Sequence, residues 1–199
     1  MNTILWTYQR TGGTTLKKRL GCAGAIFGLE GEYANAKPVD IPDLVTSCPS
    51  FKMGVGETAN WSLIPVIVRC TPDHRHIILY RENSVNRILS WYLMVTTGAT
   101  SPRKMEINQA NINEFLANDE IPYNALVQRE ITDLSNLVFA LNMLKGNNRK
   151  YEVFTYENLY DPKEGYGTND IYAQLSGYDT LKTMINNNDR IKYLKSKLI

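Results

Sequence analysis

Asn2-Thr3-Ile4-Leu5-Trp6-Thr7-Tyr8, followed by Gln9-Arg10-Thr11-Gly12-Gly13-Thr14-Thr15 and then Leu16-Lys17-Lys18-Arg19-Leu20, reads as strand, tight loop and helix. Ile4, Leu5, Trp6 and Tyr8 are bulky residues suited to a sheet. The paired glycines permit a turn with positive φ, and Thr14 or Thr15 can cap the helix that follows. A helix that starts directly after such a turn presents unpaired N–H groups and the positive end of its dipole. Arg10, Thr11, Thr14 and Thr15 add donors beside them, so the ligand expected here is a phosphate-type anion. The spacing is not that of a Walker loop, because no Gly-Lys-Ser/Thr follows a first glycine after four residues.

Outward from this unit, the chain keeps alternating. Gly21 to Tyr33 is Gly-rich and reads as a loop or short strand, and Ala34 to Pro49, with Pro38, Pro42 and Pro49, reads as mostly irregular. Ser50-Phe51-Lys52-Met53-Gly54 is a short strand, and Asn60 to Cys70 an apolar helix limited or kinked by Pro65. His76-Ile77-Ile78-Leu79-Tyr80 is the clearest interior strand. Arg81 ends it, Glu82-Asn83-Ser84 turns, and Val85, Ile88, Leu89, Tyr92 and Leu93 recur at helical spacing. Ile112, Phe115 and Leu116 suggest a short helix. Leu126, Val127, Ile131, Leu134, Val138, Leu141 and Leu144 mark the longest one, which ends at Gly146-Asn147-Asn148. Tyr151 to Tyr156 is a further strand, Gly165 to Thr168 a loop, and the tail from Thr180 one or two helices. Buried strands alternating with helices favour an α/β fold whose mainly parallel sheet is covered on both faces, a three-layer sandwich.

Composition narrows the function classes. A chain of 199 residues with 43% hydrophobic content fits one domain, 1–199, with a substantial core. With 21% charged residues and a formal net charge of +2, long-range attraction to nucleic acid or anionic lipid is not expected. Cys22, Cys48 and Cys70 are widely spaced, without histidines at metal-ligand intervals, and read as reduced thiols. No apolar run approaches the length of a membrane span and no signal segment precedes the first strand, so the expected location is cytoplasmic, without membrane insertion. Exposed apolar patches cannot be read from sequence, so homo-oligomerisation stays open.

In an open parallel sheet, ligands bind beyond the carboxyl ends of the strands. Three pieces are expected there: Gln9 to Thr15, Arg81 with its turn, and Tyr156-Glu157. Arg87 and Ser90 lie three residues apart on the helix after Arg81, and two guanidinium groups with a hydroxyl suit a second phosphate.

Arg10-Thr11-Gly12-Gly13-Thr14-Thr15 resembles the 5′-phosphosulfate loop of sulfotransferases that use the nucleotide PAPS, particularly their bacterial and carbohydrate-type branches. Arg81, Asn83, Arg87 and Ser90 match the second element of that family in spacing. Gly31-Glu32-Tyr33, Ser50-Phe51-Lys52 and Tyr156-Glu157-Asn158-Leu159 resemble its Glu-aromatic, Gly-Phe-Lys and Tyr-Glu-Asp-Leu elements, and Leu181 to Asn187 its C-terminal helix. The departures are Gly13 in place of a Ser or Thr, Asn158 in place of Asp, and a compact length.

The resemblance implies a P-loop nucleotide-kinase-like fold and transfer of a sulfuryl group from PAPS to a hydroxyl of a carbohydrate or small metabolite, leaving PAP. It implies that Arg10, Thr11, Gly12, Gly13, Thr14 and Thr15 hold the 5′ end, and that Arg81 and Ser90, with Arg87 beside them, hold the 3′-phosphate. Arg10 would stabilise the leaving group and Glu32 would act as base, with Glu30 the runner-up; no metal is expected. Glu157 is expected to orient an arginine or a loop amide, and His74 and His76 to be structural or exposed. The alternatives are a P-loop-type nucleotide or small-molecule kinase, which lacks its Walker lysine here, and a catalytically degenerate nucleotide-binding protein of the same fold.

Overall fold

Strand β1 (Thr3–Thr7) is buried along its whole length, as its run of large side chains requires. The computed structural model describes residues 2–22, 24–26, 37–56, 61–97, 113, 117, 121–160 and 172–199. After β1 come α1 (Gly13–Arg19), β2 (Gly24–Ile26), a 3-10 turn (Pro38–Asp40), α2 (Ile41–Ser47), β3 (Phe51–Gly54), α3 (Leu63–Cys70) and β4 (Arg75–Tyr80). They are followed by α4 (Ser84–Thr97), α5 (Tyr123–Gly146), β5 (Tyr151–Thr155), α6 (Tyr156–Leu159), α7 (Tyr178–Asn186) and α8 (Asp189–Ser196). The expectations for Glu30, Glu32 and Tyr33, for Ile112, Phe115 and Leu116, and for Gly165 to Thr168 fall outside the described residues.

The five strands form one sheet in the order β2-β3-β1-β4-β5, and every pairing is parallel. Side chains of period two divide between its faces. Ile4, Trp6, Phe51, Met53, Ile78 and Tyr80 enter the larger core, which α2 to α5, α7 and α8 complete. Leu5, Ile77 and Leu79 meet Leu16 of α1 on the other face. The molecule is thus a three-layer α/β sandwich with a parallel central sheet.

Two local expectations are corrected. The proline-containing stretch before β3 is not mostly irregular, because Pro38 and Pro42 sit at helix starts, where a missing N–H costs nothing, and Ile41 and Val45 bury one face of α2. Thr14 and Thr15 do not cap α1; the helix begins at Gly13, and Gly12, with φ 75°, is its N-cap. His76 is structural: its ring is fully buried on β4 and its Nδ1 accepts from Trp6 Nε1 at 3.1 Å. Since the indole can only donate, Nε2 carries the proton toward Thr71 O, 3.2 Å away. Burial brings this imidazole down to about 4, with Thr71 opposing.

The sheet order matters for function. From β1 the chain moves out to β2 and returns to β3, and it then places β4 on the opposite side of β1. The direction of travel therefore reverses between β1 and β4, and such a reversal opens a crevice at the carboxyl ends of the two strands.

Candidate functional site

The loop after β1 is shaped by contacts that demand small residues. Gly12 adopts φ 75°, and a Cβ there would come within 2.7 Å of Tyr160 and 2.9 Å of Tyr156. Gly13 is buried, and a Cβ there would lie 2.7 Å from Thr7 Cγ2 and 3.4 Å from Lys52 Cδ. The space of a side chain at position 13 is filled by β1 itself. Thr11 is also buried, donating to Tyr8 O at 2.8 Å and sharing a short hydrogen bond with Thr7. Its hydroxyl braces the loop, whereas Thr14 is exposed and Thr15 half-buried at the start of α1.

Arg10 holds a left-handed backbone, φ 64°, which is uncommon outside glycine and costs of order 1 kcal/mol. Its guanidinium crosses to the second strand-helix unit, where Nε donates to Ser90 Oγ at 2.8 Å. Burial pushes it below the ordinary arginine range; Tyr172 opposes this, and the positive charge of Arg81 adds to it. Arg81, at the end of β4, stacks on Tyr156 with its guanidinium carbon 4.6 Å from the ring centre. Arg10, Arg81 and Ser90, from the β1 loop, the end of β4 and α4, are thus gathered at the reversal point. Glu157 Oε1, 3.8 Å from Arg81 Nε, offsets part of this charge, and two cations held close in this way favour a further anion.

Arg87 does not join them. It is fully buried, and its guanidinium pairs with Glu130 and Asp133 of α5, the latter at 2.7 Å, and lies 4.9 Å from the centre of the Tyr8 ring. Burial alone would lower its pKa, but Glu130 first and Asp133 second reverse the sign and hold it raised. Ser84 donates to Glu130, and Arg129 Nε donates to Asp133 at 3.0 Å. Arg87 is therefore a core residue of a buried charge network, and its expected place beside Ser90 at a phosphate is corrected: position 90 faces the cleft and position 87 faces α5.

The sequence reading places Lys52 in the Ser50-Phe51-Lys52 element but gives it no role in the site. This β3 residue is 6% exposed, and its Nζ donates to Thr14 Oγ1 at 3.2 Å, putting a cation at the head of α1. Burial, with Lys17 adding, brings its ammonium down to about 8. The available signal was a lysine between Phe51 and Met53 in a strand otherwise fully apolar. Tyr160, whose hydroxyl donates to Gly12 O at 2.8 Å, had no such signal. Among the described residues no group of three His, Cys, Asp or Glu side chains could hold a metal ion, and no helix is long and apolar enough to cross a membrane.

No family model matches the chain, and neither a curated protein nor a solved structure matches it.

Proposed function

We propose that this protein is a PAPS-dependent sulfotransferase acting on a hydroxylated small molecule or glycan. The observation that carries the reading is the gathering of Arg10, Arg81 and Ser90 at the point where the sheet order reverses, across from Lys52 and Thr14. Lys52 stands on β3 and Arg81 follows β4, the strands on either side of β1, whose loop carries Arg10. A nucleotide with phosphate at both its 5′ and 3′ positions would use both.

PAPS supplies a sulfuryl group on a phosphate leaving group. In this reading Lys52, Thr14 and Thr15 bind the 5′-phosphosulfate, and the Lys52 ammonium stabilises the charge that collects on the bridging phosphate oxygen as its bond to sulfur breaks. Arg81 and Ser90 bind the 3′-phosphate. Arg10, expected from the sequence to stabilise the leaving group at the 5′ end, is tied by its Nε to Ser90 and in this reading serves the 3′ end with them, leaving the 5′ role to Lys52. Glu32 is the proposed base that takes the acceptor's proton as the new oxygen–sulfur bond forms.

The test is calorimetry on substituted proteins. Ser90→Ala and Arg81→Ala are expected to weaken PAP binding by about tenfold and a hundredfold respectively, as losses of a hydrogen bond to the phosphate from a neutral donor and from a charged one. AMP, which lacks the 3′-phosphate, should bind both variants about as well as the wild type. Parallel losses for the two nucleotides would reject the assignment.

A further inference from the structure

Helix α6 has only four residues, yet it and the residue after it reach both loops of the site. Tyr156 supplies the face on which Arg81 stacks, and Tyr160 holds Gly12 O. Between them, Glu157 grips the turn that leads from β4 into α4. One carboxylate oxygen accepts from Glu82 N at 2.9 Å and the other from Asn83 N at 3.0 Å. The oxygen on Asn83 also lies 3.8 Å from Arg81 Nε. Asn83 Oδ1 accepts from Asn86 N at 3.0 Å, and Lys195 donates to Glu82 O.

Two successive backbone amides aimed at one carboxylate form the kind of nest that anions occupy. Here the occupant is the protein's own Glu157. A ligand anion beside Arg81 then meets side chains, the guanidinium groups of Arg10 and Arg81 and the hydroxyl of Ser90, and not these amides. Recognition of that kind depends on where Arg81 is held, and Glu157 and the Tyr156 ring bracket it.

We propose that Glu157 is a positioning residue that sets the phosphate preference of the site, by fixing the Glu82-Asn83 turn and aiming Arg81 across it. The inference rests on the nucleotide reading above. It concerns a residue that does not touch the reacting atoms.

The carboxylate has two opposing effects, and a pair of substitutions separates them. Its charge partly offsets that of Arg81, so if charge dominated, Glu157→Gln would tighten PAP binding and Glu157→Asp would leave it unchanged. If position dominates, both weaken it: Gln presents an N–H group to one of the two amides, and Asp is one methylene too short to reach both. The expected result is that both variants bind PAP about tenfold more weakly while AMP stays within about threefold, a change of ratio that general destabilisation does not produce. Rapid hydrogen exchange at the Glu82 and Asn83 amides of the nucleotide-free variants should accompany it.

Unchanged or tighter PAP binding, or equal losses of PAP and AMP, overturns the proposal. If the wild type itself binds PAP no better than AMP, the 3′-phosphate assignment fails and the preference role falls with it. The exchange measurement then decides the remaining part, faster exchange in both variants supporting Glu157 as the residue that fixes the turn and wild-type rates overturning that as well.

Discussion

Lys52 concentrates the electrostatics of the site in one residue. Its ammonium titrates at about 8 instead of 10.5 because burial disfavours the charge, with Lys17 nearby adding to the effect. Between those two values the unfolded chain binds the proton and the folded chain does not, so the cost of burying the charge is fully present below about 8 and is relieved as pH rises toward 10.5. Lys52→Met is accordingly expected to raise the urea midpoint at pH 7, with a gain that shrinks toward pH 10. Binding has the opposite sign, because an anion wants the protonated amine. PAP affinity should be full below about pH 8 and fall as the lysine deprotonates. Lys52→Met should be about tenfold weaker at pH 7 and lack that inflection. A shared inflection in both proteins, followed by calorimetry across pH, would assign the effect to another group. Residue types told part of this story in advance: Arg10 and Arg81 stand where strands end. Arg87 misled because spacing along α4 does not reveal what α5 offers, and Glu130 and Asp133, three residues apart amid buried leucines, were the overlooked sign.

At the scale of the element, the glycine loop explains its own departure from the sulfotransferase-like pattern. A hydroxyl is missing at position 13 because Thr7 Cγ2 would lie 2.7 Å from any Cβ there, and Thr7 is pinned by Thr11 and Tyr8 O. Gly13→Ser should therefore destabilise the fold by roughly 1–3 kcal/mol through overpacking. Thr7→Ser removes only the crowding methyl and keeps the hydroxyl, so the double variant should recover much of the loss in urea unfolding. Additive effects of the two changes would mean that Thr7 is not the obstacle. The elements were legible wherever burial and periodicity coincide, as in β1, β3, β4 and α5. α2 was not, since its prolines resemble loop punctuation until Ile41 and Val45 are seen to be buried.

On the scale of the whole molecule, the arrangement of the strands carries the functional argument, and no local feature of the sequence encodes it. Alternation of strand and helix pointed to a covered parallel sheet, but the order β2-β3-β1-β4-β5 depends on pairings between distant segments. That order sets β1 beside β4 and so brings Arg10 to Ser90, eighty residues away. The buried network of Arg87, Arg129, Glu130 and Asp133 then joins α4 to α5 behind the cleft. Removing one partner from such a network costs about 3–5 kcal/mol, so Arg87→Ala is expected to act through the stability of α4 packed on α5. The central claim is that the site reads a nucleotide phosphorylated at both ends, and the direct measurement is calorimetric titration of the wild-type protein with PAP, AMP and ATP. PAP is predicted to bind at least about tenfold more tightly than AMP or ATP. Equal affinity for PAP and AMP, or a preference for ATP, would contradict the account.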